Sequence, residues 1–196
     1  MTTRERILDA AADILRHRGV TYATTKEIAQ ATGVSEPTLY KYFGDKERLL
    51  LAVLQERVPG TAGVSVTAGE GDVRDNLVVL AHAVVEFYQR SIPMLAALLA
   101  DPQRMAAHRT AMSELGAGPD KAAAVFANYL HAERNFGRIS ADALPDAIAS
   151  LLIGACFHEA FLRYYAHGAD ADIAPRAFAE SIVDAVVAPL GVRGHS

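Results

Sequence analysis

One segment constrains the fold of this chain more than any other: TTKEIAQATGVSEPTLYKYF, residues 24–43. Thr24 and Glu27 have the three-residue spacing of a capping box, which predicts that a helix begins here. Ser35 can cap a second helix, and Pro37 is tolerated because it falls in that helix's first turn. The segment therefore predicts two short helices joined by a tight turn.

The second of these helices has an apolar side and a polar side. Leu39 and Phe43 are four residues apart and share the apolar side. The other side carries a mixed set of polar, aromatic and proline side chains, namely Glu36, Pro37, Thr38, Tyr40, Lys41 and Tyr42. A helix–turn–helix needs this arrangement to lay its second helix in the major groove of DNA.

Amphipathic helices are predicted on both sides of this segment. Residues 4–19 have a helical apolar stripe, and Thr2 with Glu5 forms a second possible capping box at its start. Asp45 can cap a further helix that contains Leu49, Leu50, Ala52, Val53 and Leu54. The segment from 24 to 43 thus lies within a small helical domain.

Two stretches of this region, RERILDAAADILRHRGV and TTKEIAQATGVSEPTLYKYFGDKERLLLAV, together resemble the N-terminal domain of the TetR family of bacterial transcriptional regulators. The resemblance implies an all-α protein with two domains. Residues 1–57 would form a three-helix, helix–turn–helix DNA-binding domain, and residues 58–196 a C-terminal helical domain for ligand binding and dimerisation. It further implies a repressor that leaves its operator when a small molecule binds in the C-terminal domain.

The resemblance also implies which residues contact a palindromic double-stranded operator. Base contacts come from Ser35, Glu36, Pro37, Thr38, Tyr40, Lys41 and Tyr42, and phosphate contacts from Thr25, Lys26 and Lys46. Many family members have a basic or neutral residue where this chain has Glu36. A carboxylate can accept from cytosine N4 but repels phosphate, so Glu36 either reads a cytosine or only tunes affinity.

The charge of the chain is unevenly distributed. The net charge is −4, yet residues 1–57 carry nine Lys and Arg against eight Asp and Glu, a balance of +1. This asymmetry has the sign expected of a DNA-binding domain, but it is modest. We therefore expect specificity to depend on side-chain fit and dimer spacing more than on general attraction to DNA.

The rest of the chain is expected to be helical as well. Ala is frequent and Trp is absent, and periodicity stops only in the Gly- and Ala-rich stretch at 58–72. Helices are predicted at residues 73–90, 122–136, 142–166 and 173–190. Pro93 and Pro102 are expected to break the chain around the apolar segment MLAALLA, with another helix running on to Leu115.

The last two predicted helices are apolar on two sides, which indicates burial on two sides. They are either central helices of a monomer or, as the resemblance implies, a four-helix bundle across the two-fold axis of a homodimer. Interface candidates are Leu151, Gly154, Ala155, Leu162, Ile182, Val183 and Val186.

The resemblance also implies an effector pocket in the C-terminal domain. Its candidate lining is apolar and aromatic with a few polar groups: Phe87, Tyr88, Met94, Leu98, Met105, His108, Met112, Phe126, Tyr129, His158 and Phe161. This mix suits a mainly apolar effector that is oriented by one or two hydrogen bonds. Each of these side chains, taken alone, is more often part of an ordinary helical core.

Two other classes of function were weighed. An enzyme or metal site is disfavoured because Cys156 and His158 are two residues apart and no two His have i, i+4 spacing. No catalytic residue, cofactor or metal is expected. An adaptor that lost DNA binding is disfavoured by the intact polar face of residues 36–42. The single Cys, and the lack of a signal peptide or of a membrane-spanning apolar run, lead us to expect a cytoplasmic protein.

Overall fold

The structure is a computed structural model that describes residues 1–18, 23–57, 64, 66–114, 116–168 and 171–192. All regular structure in these ranges is helical, which confirms the all-α prediction. The helices are α1 (Thr3–Arg18), α2 (Thr25–Thr32), α3 (Glu36–Phe43), α4 (Lys46–Glu56), α5 (Val73–Leu99), α6 (Pro102–Glu114), α7 (Pro119–Asn135), α8 (Pro145–His167) and α9 (Arg176–Leu190). The predicted helix ends at Gly19 and Leu115, and much of the predicted 58–72 linker, lie outside the described residues.

The helix starts predicted from capping residues are confirmed. Thr24 Oγ1 accepts a hydrogen bond of 3.1 Å from the backbone N–H three residues later. Ser35 and Asp45 cap α3 and α4 in the same way, at 3.3 Å and 2.7 Å. Gly33, at φ +68°, turns the chain out of α2 through the left-handed region that glycine adopts most easily. Local side-chain chemistry thus fixes the frame of the helix–turn–helix.

The chain divides into two compact units, of which the first contains Met1–Pro59, Arg90–Gly118 and Arg163–Ala171. Its core joins buried side chains of α1 to α4, including Ile7, Leu8, Ile28, Leu39, Phe43, Leu49 and Leu50. Met94 and Leu98 from the end of α5 lie in the same core, and Met105 of α6 packs against it. The predicted DNA-binding domain, residues 1–57, therefore shares its core with two later helices.

α5 differs from its prediction. The helix was expected to end near residue 90 and to be broken at Pro93, but it runs through Pro93 to Leu99. A proline inside a helix costs about 3 kcal/mol. Burial of Met94 and Leu98, 7% and 2% exposed, contributes about 1.5–3 kcal/mol each and offsets that cost.

The second unit contains Gly60–Gln89, Pro119–Leu162 and Asp172–Ser196. Its core includes Leu77, Phe126, Leu130, Leu152 and Val183, all at most 1% exposed. Here α7 begins three residues before its predicted start, while α8 and α9 begin three residues after theirs. A proline occupies the first position of α7 and α8 and the N-cap of α9, where its fixed φ favours a helix start.

A buried ion pair lies in this second unit. Glu133 is the one fully buried charged side chain among the described residues. Its Oε1 accepts from the Gly69 N–H at 3.2 Å, and its Oε2 is 3.4 Å from Nε of Arg138. The Arg138 guanidinium also donates to the Gly71 carbonyl. The pair therefore holds the turn at residues 69–71 against the end of α7.

Candidate nucleic-acid interface

The candidate DNA-contacting residues lie at the start of α2, along α3 and at the start of α4, all in the first unit. Thr25 and Lys26 open α2, residues 35–42 form the cap and body of α3, and Lys46 opens α4. The exposed members are Lys26, Ser35, Pro37, Tyr40, Lys41 and Tyr42, and the half-buried members are Thr25, Glu36, Thr38 and Lys46. The structure thus brings the whole predicted set together in one unit.

The orientation of α3 follows from its apolar side. Leu39 is fully buried and Phe43 is 7% exposed, both in the core of the first unit. The Arg4 guanidinium lies 5.3 Å from the centroid of the Phe43 ring, a cation–π contact that helps to fix this end of α3. Tyr40 and Tyr42 are 43% and 46% exposed, so the polar face points to solvent as predicted.

Within this interface a hydrogen bond joins α2 to α3. Thr25 Oγ1 donates to Glu36 Oε2 at 2.6 Å. The Tyr40 hydroxyl lies 3.5 Å from the same Thr25 oxygen. On α3 itself, the hydroxyls of Ser35 and Thr38 are 2.8 Å apart. Sequence reasoning missed the bond between Thr25 and Glu36, because nothing local indicates contact between residues 11 positions apart.

Charged pairs link α4 to α6 beside the interface. Arg104 of α6 lies 3.2 Å from Glu47, and Arg48 lies 3.1 Å from Glu114. Burial lowers the pKa of Lys46, and the nearby positive charge of Arg104 lowers it further, while Glu47 raises it. A displacement of α6 would therefore act on the first turn of α4 through these two charged pairs.

The candidate pocket residues fall into both units. In the first unit, Met94 and Leu98 are buried in the core that supports the helix–turn–helix, and Met105 packs against that core. His108 and Met112 of α6 are half-buried. Burial lowers the pKa of His108, and Glu47 partly opposes that effect.

The remaining candidates lie in the second unit. Phe126 and Tyr129 are buried, Phe87 and Tyr88 are half-buried, and His158 and Phe161 are exposed. Tyr88 meets Phe157 edge-on at a centroid distance of 5.3 Å. The role of the candidate pocket residues as a set stays a prediction.

A depression of about 480 Å³ does open in the second unit. Its lining is mostly apolar and comprises Val64, Val66, Ala68, Leu80, Val125, Asn128, Tyr129 and Ala132. Tyr129 is the member of the predicted set that lines it. The Tyr129 hydroxyl accepts from Asn76 Nδ2 at 3.0 Å, and burial, followed by a hydrogen bond with Glu133, raises its pKa.

α8 exposes several apolar residues along one side, here called the α8 apolar face, with the exposed His158 among them. It consists of Leu151, Gly154, Phe157, Phe161 and Leu162, of which Leu151 is 65% exposed. By length and composition α8 could cross a membrane, but one such helix among the described residues is weak evidence of a membrane span.

The other interface candidates are more enclosed. Ala155 and Ile182 are half-buried. Val183 and Val186 are 0% and 9% exposed, because they face the core of their own unit. Of the predicted set, then, Leu151, Gly154 and Leu162 are the members that a second subunit could reach directly.

Cys156 and His158 lie on opposite sides of α8. The Cys156 thiol is fully buried, donates to the Ala81 carbonyl at 3.6 Å and has its pKa raised to about 12 by burial. His158 is exposed. The two side chains cannot act as a nucleophile and base pair, as their spacing in the sequence had indicated.

Residues 7–53, from α1 to α4, match the family model described as bacterial regulatory proteins, tetR family. The N-terminal part of the chain thus matches the TetR family. Among curated relatives, the helix–turn–helix-type transcriptional regulator YvkB of Bacillus subtilis is 36% identical over 84 residues, which are 43% of this chain and 44% of YvkB. The transcriptional activator FasR of Mycolicibacterium smegmatis is 38% identical over 85 residues, 43% of this chain and 38% of FasR.

These alignments span less than half the length of either relative. The similarity in fold extends further. A putative TetR-family regulator from Mesorhizobium loti has a TM-score of 0.66 with 23% identity, and the match covers 97% of each chain. At that identity the match shows the fold alone, namely a helix–turn–helix domain followed by a C-terminal helical domain.

Proposed function

We propose that this protein is a cytoplasmic transcriptional repressor of the TetR family that binds a palindromic operator as a homodimer and leaves it when a small, mainly apolar effector binds. The outward polar face of α3, held by the burial of Leu39 and Phe43, is the observation that carries this proposal. It offers hydroxyls, an amine and a carboxylate to the edges of bases. Lys26 is exposed beside it and can neutralise a phosphate.

The dimer is supported by the α8 apolar face. Several exposed apolar side chains on one side of a helix commonly mark a contact with another chain. A second copy related by two-fold symmetry would cover this face and would present two α3 helices to DNA. The operator half-sites would then lie about 34–36 Å apart, or a multiple of that distance.

The effector proposal rests on the second unit. The depression that includes Tyr129 has mostly apolar walls and one side-chain amide, from Asn128, which suits an apolar molecule oriented by one or two hydrogen bonds. In the first unit, the contacts from Arg104 to Glu47 and from Arg48 to Glu114 supply a means for α6 to move α4, which follows the recognition helix. Release would come from a changed separation of the two α3 helices.

The test is a gel-shift of the full chain on DNA from its own upstream region, against a scrambled fragment of equal length. We expect a shift that favours the upstream fragment and that weakens as salt rises. Equal binding to both fragments, or none to either, would contradict specific DNA binding. Transcription from the same fragment in vitro decides the sign, since FasR is an activator: inhibition supports a repressor, and stimulation overturns that part of the proposal.

The effector is tested separately, by a thermal-shift screen of apolar and of multiply charged compounds. Compounds that stabilise the protein are then added to the gel-shift. We expect apolar compounds to raise the melting temperature and to release the DNA. Stabilisation by multiply charged compounds alone would contradict the proposed chemistry of the effector.

A further inference from the structure

We propose that Thr25 positions Glu36 so that the carboxylate accepts a hydrogen bond from the 4-amino group of a cytosine in the major groove. Thr25 would then set base specificity through Glu36, without contacting DNA through its own hydroxyl. This inference rests on the proposed DNA binding, and it decides between the two roles that the sequence leaves open for Glu36.

The first step is the strength and direction of the bond between Thr25 and Glu36. At 2.6 Å it has the length of a charge-assisted hydrogen bond from a hydroxyl to a carboxylate. A hydroxyl has one proton, and Thr25 gives it to Glu36. The Tyr40 hydroxyl, 3.5 Å away, can therefore approach Thr25 only as a weak donor. A phosphate oxygen, which accepts hydrogen bonds, finds no donor at the Thr25 hydroxyl while this bond is made.

The second step is the other carboxylate oxygen. Glu36 Oε2 takes the bond from Thr25, and Oε1 receives no hydrogen bond from the described residues. Glu36 lies in the first turn of α3, the part of a recognition helix that contacts base edges. A free glutamate side chain samples many rotamers, and holding it in one before DNA arrives lowers the entropic cost of the contact.

The third step is the choice of base. A carboxylate only accepts, so it can pair with the amino groups that cytosine and adenine present in the major groove. Adenine places its N7 acceptor next to that amino group, and this acceptor would repel the negative charge. Guanine and the O4 of thymine offer acceptors, with which a carboxylate cannot pair. A held carboxylate at Glu36 is therefore expected to select cytosine.

The experiment selects binding sites from a library of double-stranded DNA with a randomised core, using the full chain and four variants. The wild-type protein should enrich cytosine at one position of each half-site. Glu36→Gln should change that preference to adenine, because an amide both accepts from N6 and donates to N7. Thr25→Val, which removes only the hydroxyl, should reduce the discrimination at that position by about 5-fold or more while the other positions keep theirs.

Two control variants show whether the Thr25 hydroxyl positions the Glu36 carboxylate or only holds α2 against α3. Thr25→Ser keeps a hydroxyl and should restore the cytosine preference. Thr32→Val makes the same change on the same helix, but the Thr32 hydroxyl bonds only to carbonyls of its own helix, at 2.8 Å and 3.1 Å, and the selected sequence should not change.

Three results would overturn the inference. The first is a full cytosine preference in Thr25→Val. The second is an unchanged base preference in Glu36→Gln. The third is a uniform loss of affinity for all sequences in Thr25→Val, which would mean that the bond only braces the two helices. If the wild-type protein enriches no sequence at all, the proposed function fails instead, so the two failures are distinguishable.

Discussion

Replacing Glu133 with leucine should destabilise the protein far more than the same replacement of a charged residue on the surface. In the folded chain the Glu133 carboxylate is fully buried, accepts from the Gly69 amide and faces the Arg138 guanidinium. The Arg138 side chain is 15% exposed. Glu133→Leu leaves that guanidinium largely out of water with no counter-charge, and it leaves the Gly69 amide without its acceptor.

The expected loss follows from these two effects. Removing one partner of a buried ion pair lowers the free energy of unfolding by about 3–5 kcal/mol. We take this range to include the cost of the Gly69 amide that loses its acceptor. A folded domain has a total stability of about 5–15 kcal/mol, so the loss is a large share of it. At an m-value of about 2 kcal/mol per molar, the urea midpoint should fall by roughly 2 M.

The assay is urea unfolding followed by far-ultraviolet circular dichroism, with three companion variants: Glu180→Leu, the single variant Arg138→Met and a double variant. Glu180→Leu is the matched control: Glu180 pairs with Arg176 at 3.3 Å on the surface, with side chains 41% and 55% exposed, and its loss should cost at most about 0.5 kcal/mol. The double variant Glu133→Leu, Arg138→Met removes both buried charges and should recover much of the stability, with a coupling energy of about 2 kcal/mol or more.

Equal midpoints for Glu133→Leu and Glu180→Leu would refute the reasoning, because burial would then add nothing to the charge pair. So would a double variant whose loss equals the sum of the two single losses, since that result would mean that Glu133 and Arg138 act independently.

Three further predictions concern other parts of the chain. Tyr40→Ala should lower operator affinity by at least about tenfold with little change in melting temperature, because Tyr40 is 43% exposed; Phe136→Ala, 62% exposed on the second unit, is its control, and normal DNA binding by Tyr40→Ala would remove Tyr40 from the interface. Leu151→Glu should give folded monomers by light scattering, whereas Val183→Glu should unfold the protein because Val183 is fully buried; a dimeric Leu151→Glu would mean that the interface lies elsewhere. Burial raises the pKa of Cys156 from 9.0 to about 12, so stability should fall as pH rises from about 9 towards 12, and iodoacetamide at pH 8 should label only unfolded protein; rapid labelling of the native chain would contradict this burial.

The parts of the fold that follow from local chemistry could be predicted from the sequence. Thr24, Ser35 and Asp45 cap helices where predicted, since a cap depends on residues only three positions apart. The polar face of α3 follows from the four-residue spacing of Leu39 and Phe43. Pro93 was misjudged because the burial that offsets its cost depends on contacts with α1 to α4, far away in the sequence.

The parts of the candidate sites that depend on tertiary contacts could not be predicted. The apolar sequence around them made His158 a candidate for the pocket and Val183 a candidate for the dimer interface. Apolar composition does not tell which side of a helix faces the core. In the structure His158 is exposed and Val183 is buried. Glu133 carried a signal that was available: it lies three, four and seven residues after Leu130, Tyr129 and Phe126, on the buried stripe of α7. A charged residue on such a stripe indicates a buried partner, here Arg138.

The shared core of the first unit has a consequence for engineering. Exchanging DNA-binding domains between regulators assumes that residues 1–57 can be transplanted as a module. In this chain Met94 and Leu98 fill part of the core beneath α1 to α4, and Met105 packs against it. A graft cut after residue 57 would leave that volume to be filled by side chains of the host, and each unfilled position costs about 2–5 kcal/mol. A functional chimera must therefore carry the end of α5 and the start of α6 with the helix–turn–helix, or recreate their three contacts in the host.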